Sequence, residues 1–304
     1  MHNAHADEQK KSIARLSVAS NAVLVVLKVL IGTITGSVSV LSEAIHSAID
    51  LVAAIIALFA VHSASKPADD QHPFGHGKVE NVSGVIEALL IFFAAGWIIF
   101  EAAKKLMHPH DMEKIGLGFA VMLISAAVNW FVSHKLFRVA NATDSVALKA
   151  DAWHLRTDVY TSAGVMGGLG LIMLGHWLFP TANLTWLDPV IAICVALLIV
   201  HAAWELTIHS GRDLLDARLP LEEEEWIVNY LQGMEFEKVS GYHHLRTRKS
   251  GSFRFIEFHL EVAPDLNVCE AHDINDAIVA QIKAQFPQSR VIIHIEPEKN
   301  KSQS

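Results

Sequence analysis

The sequence predicts an α-helical membrane domain followed by a small α+β domain. Of its 304 residues, 52% are hydrophobic and 18% are charged, and a soluble domain of this length usually carries more charge. Apolar runs of about 20 residues, each long enough to cross a bilayer core of about 30 Å, recur through residues 13–210. Residues 211–298 have the composition of an ordinary soluble domain, so two parts are expected.

Six apolar segments predict six transmembrane helices, which puts both termini on the same side of the membrane. Lys and Arg are more frequent near the first segment, in the second and fourth loops and after the sixth segment, which predicts cytoplasmic termini. Residues 1–12 would then form a cytoplasmic tail. The segments are residues 13–34, 37–63, 79–107, 115–137, 145–174 and 187–208.

The remainder of the chain predicts a domain with the element order α-β-β-α-β. Residues 221–231 read as a helix with an acidic first turn, which suits a helix N-terminus. Residues 239–247 and 253–262 predict strands, residues 269–286 a second helix, and residues 290–295 a third strand. This order predicts helices packed on one face of a sheet. Residues 299–304 are polar and are predicted to be disordered.

Two of the predicted spans carry the same pair of ionisable side chains. SEAIHSAID contains His46 and Asp50, and DAWHLRTD contains His154 and Asp158. Each pair has i,i+4 spacing, so its two side chains lie on one helix face. Two such faces turned together would offer two imidazoles and two carboxylates, a set that suits tetrahedral zinc.

Ionisable residues inside membrane spans are costly and indicate function. Two carboxylates with neutral imidazoles balance a divalent cation, and nitrogen ligands favour zinc or cadmium over magnesium, calcium or manganese. Because bound metal requires deprotonated ligands, metal entry would expel protons, as in a proton antiporter. The alternative is a structural His–Asp hydrogen bond between helices. Asn21, Lys28 and Glu87 stand alone in their spans, and Lys28 is interpreted as a snorkelling side chain.

Further histidines lie outside the spans. ADDQHPFGHGK, between the second and third spans, places Asp69, His72 and His76 close together around a Pro- and Gly-containing turn. A metal site and a solvated polar loop are both compatible with this pattern. The tail could hold a cytoplasmic metal site shared by two subunits, or its histidines could be surface residues. The tail residues concerned are His243, His244, His259, His272, His294 and Glu296.

The composition excludes several classes. A net charge of −8 gives no support for nucleic-acid binding. Only two cysteines are present, and Cys194 lies in an apolar run, which argues against a disulfide framework. No HExxH motif occurs, and Glu43 is the only carboxylate near His46 that could serve as a general base, so an intramembrane zinc enzyme is not predicted. A membrane-anchored metal sensor is a third alternative.

The sequence resembles the cation diffusion facilitator family, and within it the bacterial YiiP-type zinc exporters. The motifs that carry the resemblance occur in the family's order along nearly the whole chain. They are TGSVSVLSEAIHSAID, PADDQHPFGHGK, ALKADAWHLRTD, LLDARLP, HHLRTRKSG and VIIHIEP.

The resemblance implies a homodimer of the bacterial inner membrane that exports Zn²⁺ in exchange for H⁺, with a ferredoxin-like cytoplasmic domain. It assigns the transport site to His46, Asp50, His154 and Asp158, and a loop site to Asp69, His72 and His76. It implies an ion pair between Lys78 and Asp216 near the dimer interface. It also assigns a binuclear cytoplasmic site to His243, His259, His272, His294 and Glu296.

Two positions depart from the YiiP type. His46 replaces an aspartate and instead resembles the zinc-selective branch that includes animal vesicular zinc transporters, which implies a stricter zinc preference. Glu296 also replaces an aspartate, which could change the geometry of the tail site. The same mechanism with a broader cargo of Cd²⁺, Fe²⁺ or Mn²⁺ stays open.

Overall fold

The computed structural model of the protein describes residues 2–35, 38–107, 117–178, 186–234, 236 and 238–298. The chain divides into two compact units, Met1–Gly211 and Arg212–Ser304. The predicted disorder of residues 299–304 lies outside the described residues.

The first unit consists of long helices. Within the described residues, five of them are long and apolar enough to cross a membrane. The helix α5 is not among these five; a sixth span at α5 stays a prediction. The helices are α1 (His2–Thr35), α2 (Val38–Ala64), α3 (Lys78–Met107), α4 (Leu117–Thr143), α5 (Val146–Leu178) and α6 (Leu187–Leu214).

The first helix begins well before the predicted span. It starts at His2 and therefore includes most of the segment that the sequence predicts as a tail. Lys10 Nζ donates to Glu80 Oε1 at 3.2 Å, and Ser145 Oγ donates to Glu80 Oε2 at 2.6 Å. Lys10 is 3% exposed and Glu80 is 1% exposed. This buried network holds the start of α1 against α3 and the α4–α5 connection, which explains why the helix continues beyond the apolar segment.

Buried alanines flank the polar residues of α2 and α5. Ala53, Ala54 and Ala57 of α2 are fully buried one to two turns after Asp50. Ala150 and Ala152 of α5 are fully buried on either side of Asp151. Small side chains let helix backbones approach one another in a membrane. The polar residues between these alanines are therefore carried toward the interior of the helix bundle.

The second unit has the predicted element order α-β-β-α-β. Its sheet has the strand order β1-β2-β3, with β1 antiparallel to β2 and β2 parallel to β3. The sheet is therefore mixed; the ferredoxin-like comparison stays a prediction. The elements are α7 (Leu221–Gln232), β1 (Val239–Ser250), β2 (Phe253–Val262), α8 (Val268–Gln285) and β3 (Ser289–Pro297).

The core of this unit lies between the sheet and its helices. Phe258 and Leu260 of β2 pack with Ile227 of α7 and with Ile278 and Ile282 of α8. The first strand continues three residues beyond its predicted end, because the turn that joins it to β2 consists only of Gly251 and Ser252. Gly251 has φ +58°, a conformation that glycine adopts at little cost.

Candidate metal sites

Helices α2 and α5 bring His46, Asp50, His154 and Asp158 together, and we call these four residues the intramembrane cluster. His154 Nε2 lies 3.2 Å from Asp50 Oδ1. His46 Nε2 lies 3.9 Å from Asp50 Oδ1 and 3.8 Å from Asp158 Oδ1. These three contacts therefore connect four atoms in series, one from each of the four side chains.

The ligand atoms of His46, Asp50 and Asp158 all lie within 4.8 Å of one another and could hold one ion, and His154 contacts this group through Asp50. Zinc–ligand bonds of about 2.1 Å place the ligand atoms of a tetrahedral site about 3.4 Å apart, and the three separations bracket this value. A structural hydrogen bond would account for the His154–Asp50 contact alone. The other two contacts are too long for hydrogen bonds.

Access to the intramembrane cluster is uneven. The side chain of His46 is 45% exposed, whereas those of Asp50 and His154 are 4% and 5% exposed. The side chain of Asp158 is 17% exposed. The carboxylates are therefore largely desolvated, and the imidazole of His46 lies at the open side of the cluster.

Other polar residues lie near the cluster. Lys28 is 4% exposed and its Nζ donates to Ser47 Oγ at 2.7 Å; the interpretation of Lys28 as a snorkelling side chain is therefore wrong, because the ammonium is held inside the bundle. Asp151, which the sequence motifs did not single out, is a fully buried carboxylate one turn before His154. Glu87 is likewise fully buried. On α5, Asp151, His154 and Asp158 have i, i+3, i+7 spacing, which would have indicated that Asp151 lies on the same helix face as the other two.

The connection between α2 and α3 folds around Asp69, which with His72 and His76 forms the loop cluster. His72 Nδ1 lies 3.3 Å from Asp69 Oδ1, and His76 Nε2 lies 3.3 Å from Asp69 Oδ2. The two imidazole rings are 4.4 Å apart between centroids. Gly75, with φ +88°, makes the turn between the two histidines. The three side chains could hold one metal ion.

Hydrogen bonds keep the Asp69 carboxyl ionised. The backbone N–H of His72 donates to Asp69 Oδ1 at 2.7 Å, and that of Gln71 donates at 3.1 Å. The His72 hydrogen bond is the main reason that the pKa of Asp69 lies below its ordinary value of 3.8. A lowered pKa means that the charged form is present above it and is lost only as the pH falls through it.

We expect Asp69→Asn to weaken zinc binding at the loop by about tenfold, because the amide removes the charge that faces both imidazoles. This factor should be the same at about pH 6 and about pH 8, since the carboxyl is ionised at both. Competition with a zinc indicator on the detergent-solubilised protein would measure it. Asp70→Asn, at the adjacent residue, is the matched control. A factor that vanishes at the lower pH would contradict the assignment.

The tail histidines form a row across the sheet. His243 of β1 pairs with His259 of β2, which pairs with His294 of β3. Glu296 reaches this row: its Oε1 lies 2.9 Å from His243 Nε2, and its Oε2 lies 3.6 Å from His259 Nδ1. The ring centroids of His259 and His294 are 4.6 Å apart. His243, His259 and Glu296 could hold one ion, and we call these three residues the tail cluster.

Two predicted residues are placed elsewhere. His272 lies on α8, where its Nε2 is 3.4 Å from Asp276 Oδ2, and its side chain is 68% exposed. It is not among the residues grouped around the tail cluster. Asp216 accepts from Arg248 Nη1 at 3.3 Å. Lys78, the first residue of α3, belongs to the other unit, so its pairing with Asp216 stays a prediction.

Comparison with known families covers almost the whole chain. Residues 14–215 match the family model of the cation efflux transmembrane domain, and residues 219–298 match that of the cation efflux protein cytoplasmic domain. The chain belongs to the cation efflux family. This is the cation diffusion facilitator family that the motifs resemble, so the family prediction is confirmed.

Curated relatives align with this cation efflux protein along most of their length. An uncharacterized transporter of Synechocystis sp. is 36% identical over 284 residues, which cover 93% of this chain and 89% of that one. The cation-efflux pump FieF of Shewanella oneidensis is 33% identical over 287 residues, 94% of each chain. Among solved structures, the C-terminal domain of the CzcD transporter from Thermotoga maritima is 29% identical, covers 27% of this chain and 93% of that one, and has a TM-score of 0.24.

The family determines the class of activity. This cation efflux protein is a multi-pass membrane transporter of bacterial type, with a C-terminal cytoplasmic domain. It is not the intramembrane zinc enzyme weighed as an alternative, since its family and its relatives are named for cation efflux.

Proposed function

We propose that this cation efflux protein exports Zn²⁺ from the cytoplasm in exchange for protons, and that the intramembrane cluster is its transport site. The observation that carries the proposal is the series of three contacts, from 3.2 to 3.9 Å, that links one ligand atom of each of the four side chains. Two neutral imidazoles and two carboxylates cancel the charge of a divalent ion. A loaded site would therefore leave no net charge within the membrane.

The ligand set favours zinc as the cargo. Zinc accepts two nitrogen and two oxygen ligands in tetrahedral geometry, whereas magnesium and calcium require six or more oxygen ligands. Manganese also prefers oxygen-rich sites. Cadmium shares the preference of zinc for nitrogen ligands, so the site would discriminate less well between these two ions.

The same side chains provide the coupling to protons. A histidine binds metal only when it is neutral, and an aspartate only when it is ionised. Zinc and protons therefore compete for the intramembrane cluster. If the cluster opens alternately to each side of the membrane, zinc leaves on the side where protons replace it. The proton gradient across a bacterial inner membrane would drive this exchange outward.

The other clusters would hold zinc that is not transported. The loop cluster lies in the connection between α2 and α3, and the tail cluster lies in the C-terminal domain. Both termini of the chain would be cytoplasmic. The tail is expected to join two copies of the chain, as a domain of the cation efflux dimerisation type does, with Lys78 and Asp216 pairing near the interface. His272 and His294 would complete the binuclear tail site that the family resemblance implies.

Flux in proteoliposomes tests the proposal. With an acidic lumen and zinc outside, a lumenal zinc indicator should report zinc entry, and a lumenal pH dye should report a rise in pH in step with it. Collapse of the pH gradient by a potassium/proton ionophore should remove net accumulation. Zinc entry without a pH change would contradict antiport. Absence of any flux would favour a metal sensor, and equal flux of Cd²⁺, Fe²⁺ or Mn²⁺ would establish the broader cargo.

A further inference from the structure

A β-bulge interrupts the first strand of the tail beside its metal cluster. The register pairs His243 with His259, shifts, and resumes at Arg246. His244 and Leu245 therefore lie together opposite a single residue of β2, which is the arrangement of a bulge. His244 has φ +54°. A side chain larger than that of glycine seldom occupies this left-handed conformation, and such residues gather at functional sites.

The bulge changes the direction of one side chain. In a regular strand, Tyr242 and His244 would point to one face and His243 and Leu245 to the other. Tyr242 and Leu245 instead both pack against the core, while His244 is exposed. The extra residue thus keeps both apolar side chains in the core and places two consecutive histidines on the opposite face.

The imidazole of His244 consequently lies beside the imidazoles of the tail cluster. Its ring centroid lies 4.7 Å from that of His243 and 5.1 Å from that of His259, nearly perpendicular to the latter. The ligand atoms of the tail cluster lie within 4.8 Å of one another. Three ligands leave one position of a tetrahedral ion to be filled. His244 approaches from the β1 side, whereas His294 lies beyond His259 on β3.

We propose that His244 fills this position, so that His243, His244, His259 and Glu296 close one zinc site within a single tail. The inference rests on the proposal that the tail binds zinc. It makes this ion independent of any residue of a second copy, and it leaves His272 and His294 to a second ion. The left-handed backbone at His244 is then explained by its role, since the bulge directs the imidazole toward the metal.

The test uses the full-length protein in detergent with Co²⁺ as the probe, because four-coordinate cobalt absorbs visible light much more strongly than five- or six-coordinate cobalt. An Asp50→Asn, Asp158→Asn, Asp69→Asn background suppresses the other clusters. In this background, His244→Asn should weaken the first cobalt equivalent per chain by at least about tenfold and reduce its absorption. Asparagine tolerates positive φ, so the bulge is preserved.

Two further variants separate the outcomes. His244→Gly suits the backbone conformation even better and should show the same loss, which excludes strain as the cause. His201→Asn, at an exposed histidine of α6 outside the three clusters, should leave the first equivalent unchanged. Wild-type affinity and an unchanged spectrum in both His244 variants would overturn the inference. If wild-type vesicles failed to move zinc while cobalt binding still depended on His244, the proposed transport function would fail and this site would stand.

Discussion

We expect zinc flux to fall at least about 100-fold when Asp158 is replaced by asparagine. The amide has nearly the shape of the carboxylate but lacks its charge, so a divalent ion in the intramembrane cluster would keep one uncompensated charge. Removing one partner of a buried ion pair costs about 3–5 kcal/mol, and little water reaches a side chain that is 17% exposed. Stopped-flow uptake into proteoliposomes, with a lumenal zinc indicator, measures the loss.

Glu205→Gln on α6 is the matched control for this substitution. His201 and Glu205 form another i,i+4 pair in a membrane helix, with Nε2 and Oε1 3.4 Å apart, but their side chains are 71% and 65% exposed. Loss of this charge should leave zinc flux within about twofold of wild type, because the pair lies on α6 and supplies no atom to the intramembrane cluster. Wild-type flux in Asp158→Asn vesicles would show that the transport site lies elsewhere.

The second large effect is expected on selectivity. His46→Asp replaces a nitrogen ligand by a third carboxylate, which adds negative charge and moves the site toward the oxygen-rich sets that other divalent ions prefer. We expect the ratio of zinc flux to iron flux to fall by about tenfold, equivalent to about 1.4 kcal/mol. Uptake of each metal, alone and in competition with zinc, measures the ratio.

His201→Asp is the control for the selectivity change, since this histidine lies on α6 and is 71% exposed. It introduces the same side chain into a membrane helix at a distance from the intramembrane cluster, and the flux ratio should not change. An unchanged ratio in His46→Asp would remove the argument from nitrogen ligands. Metal preference would then be determined by the shape of the intramembrane cluster or by the access of ions past His46.

Local sequence patterns predicted the parts of this protein that depend on helix or strand periodicity. The i,i+4 spacing of His46 and Asp50, and of His154 and Asp158, placed each pair on one helix face, and the folded chain turns the two faces together. The short interval from Asp69 to His76 was likewise sufficient to indicate a cluster. In the tail, alternation predicted β2 with its observed bounds of Phe253–Val262.

Features that depend on partners distant in sequence were decided only by the tertiary structure. The sequence around Lys10 reads as a polar tail, but its ammonium forms a buried contact with Glu80 of α3. The sequence around Lys28 suggests a snorkelling side chain, but its ammonium donates a hydrogen bond to Ser47 of α2. Nothing in the order of residues around His244 specifies where the β1–β2 register shifts. That shift results from the need to bury Tyr242 and Leu245 on the same face.

The sequence by itself thus determined which residues could bind metal and on which faces they lie, because helix and strand geometry act over a few residues. Packing decided which of them meet, because burial and pairing energies depend on segments far apart in the chain.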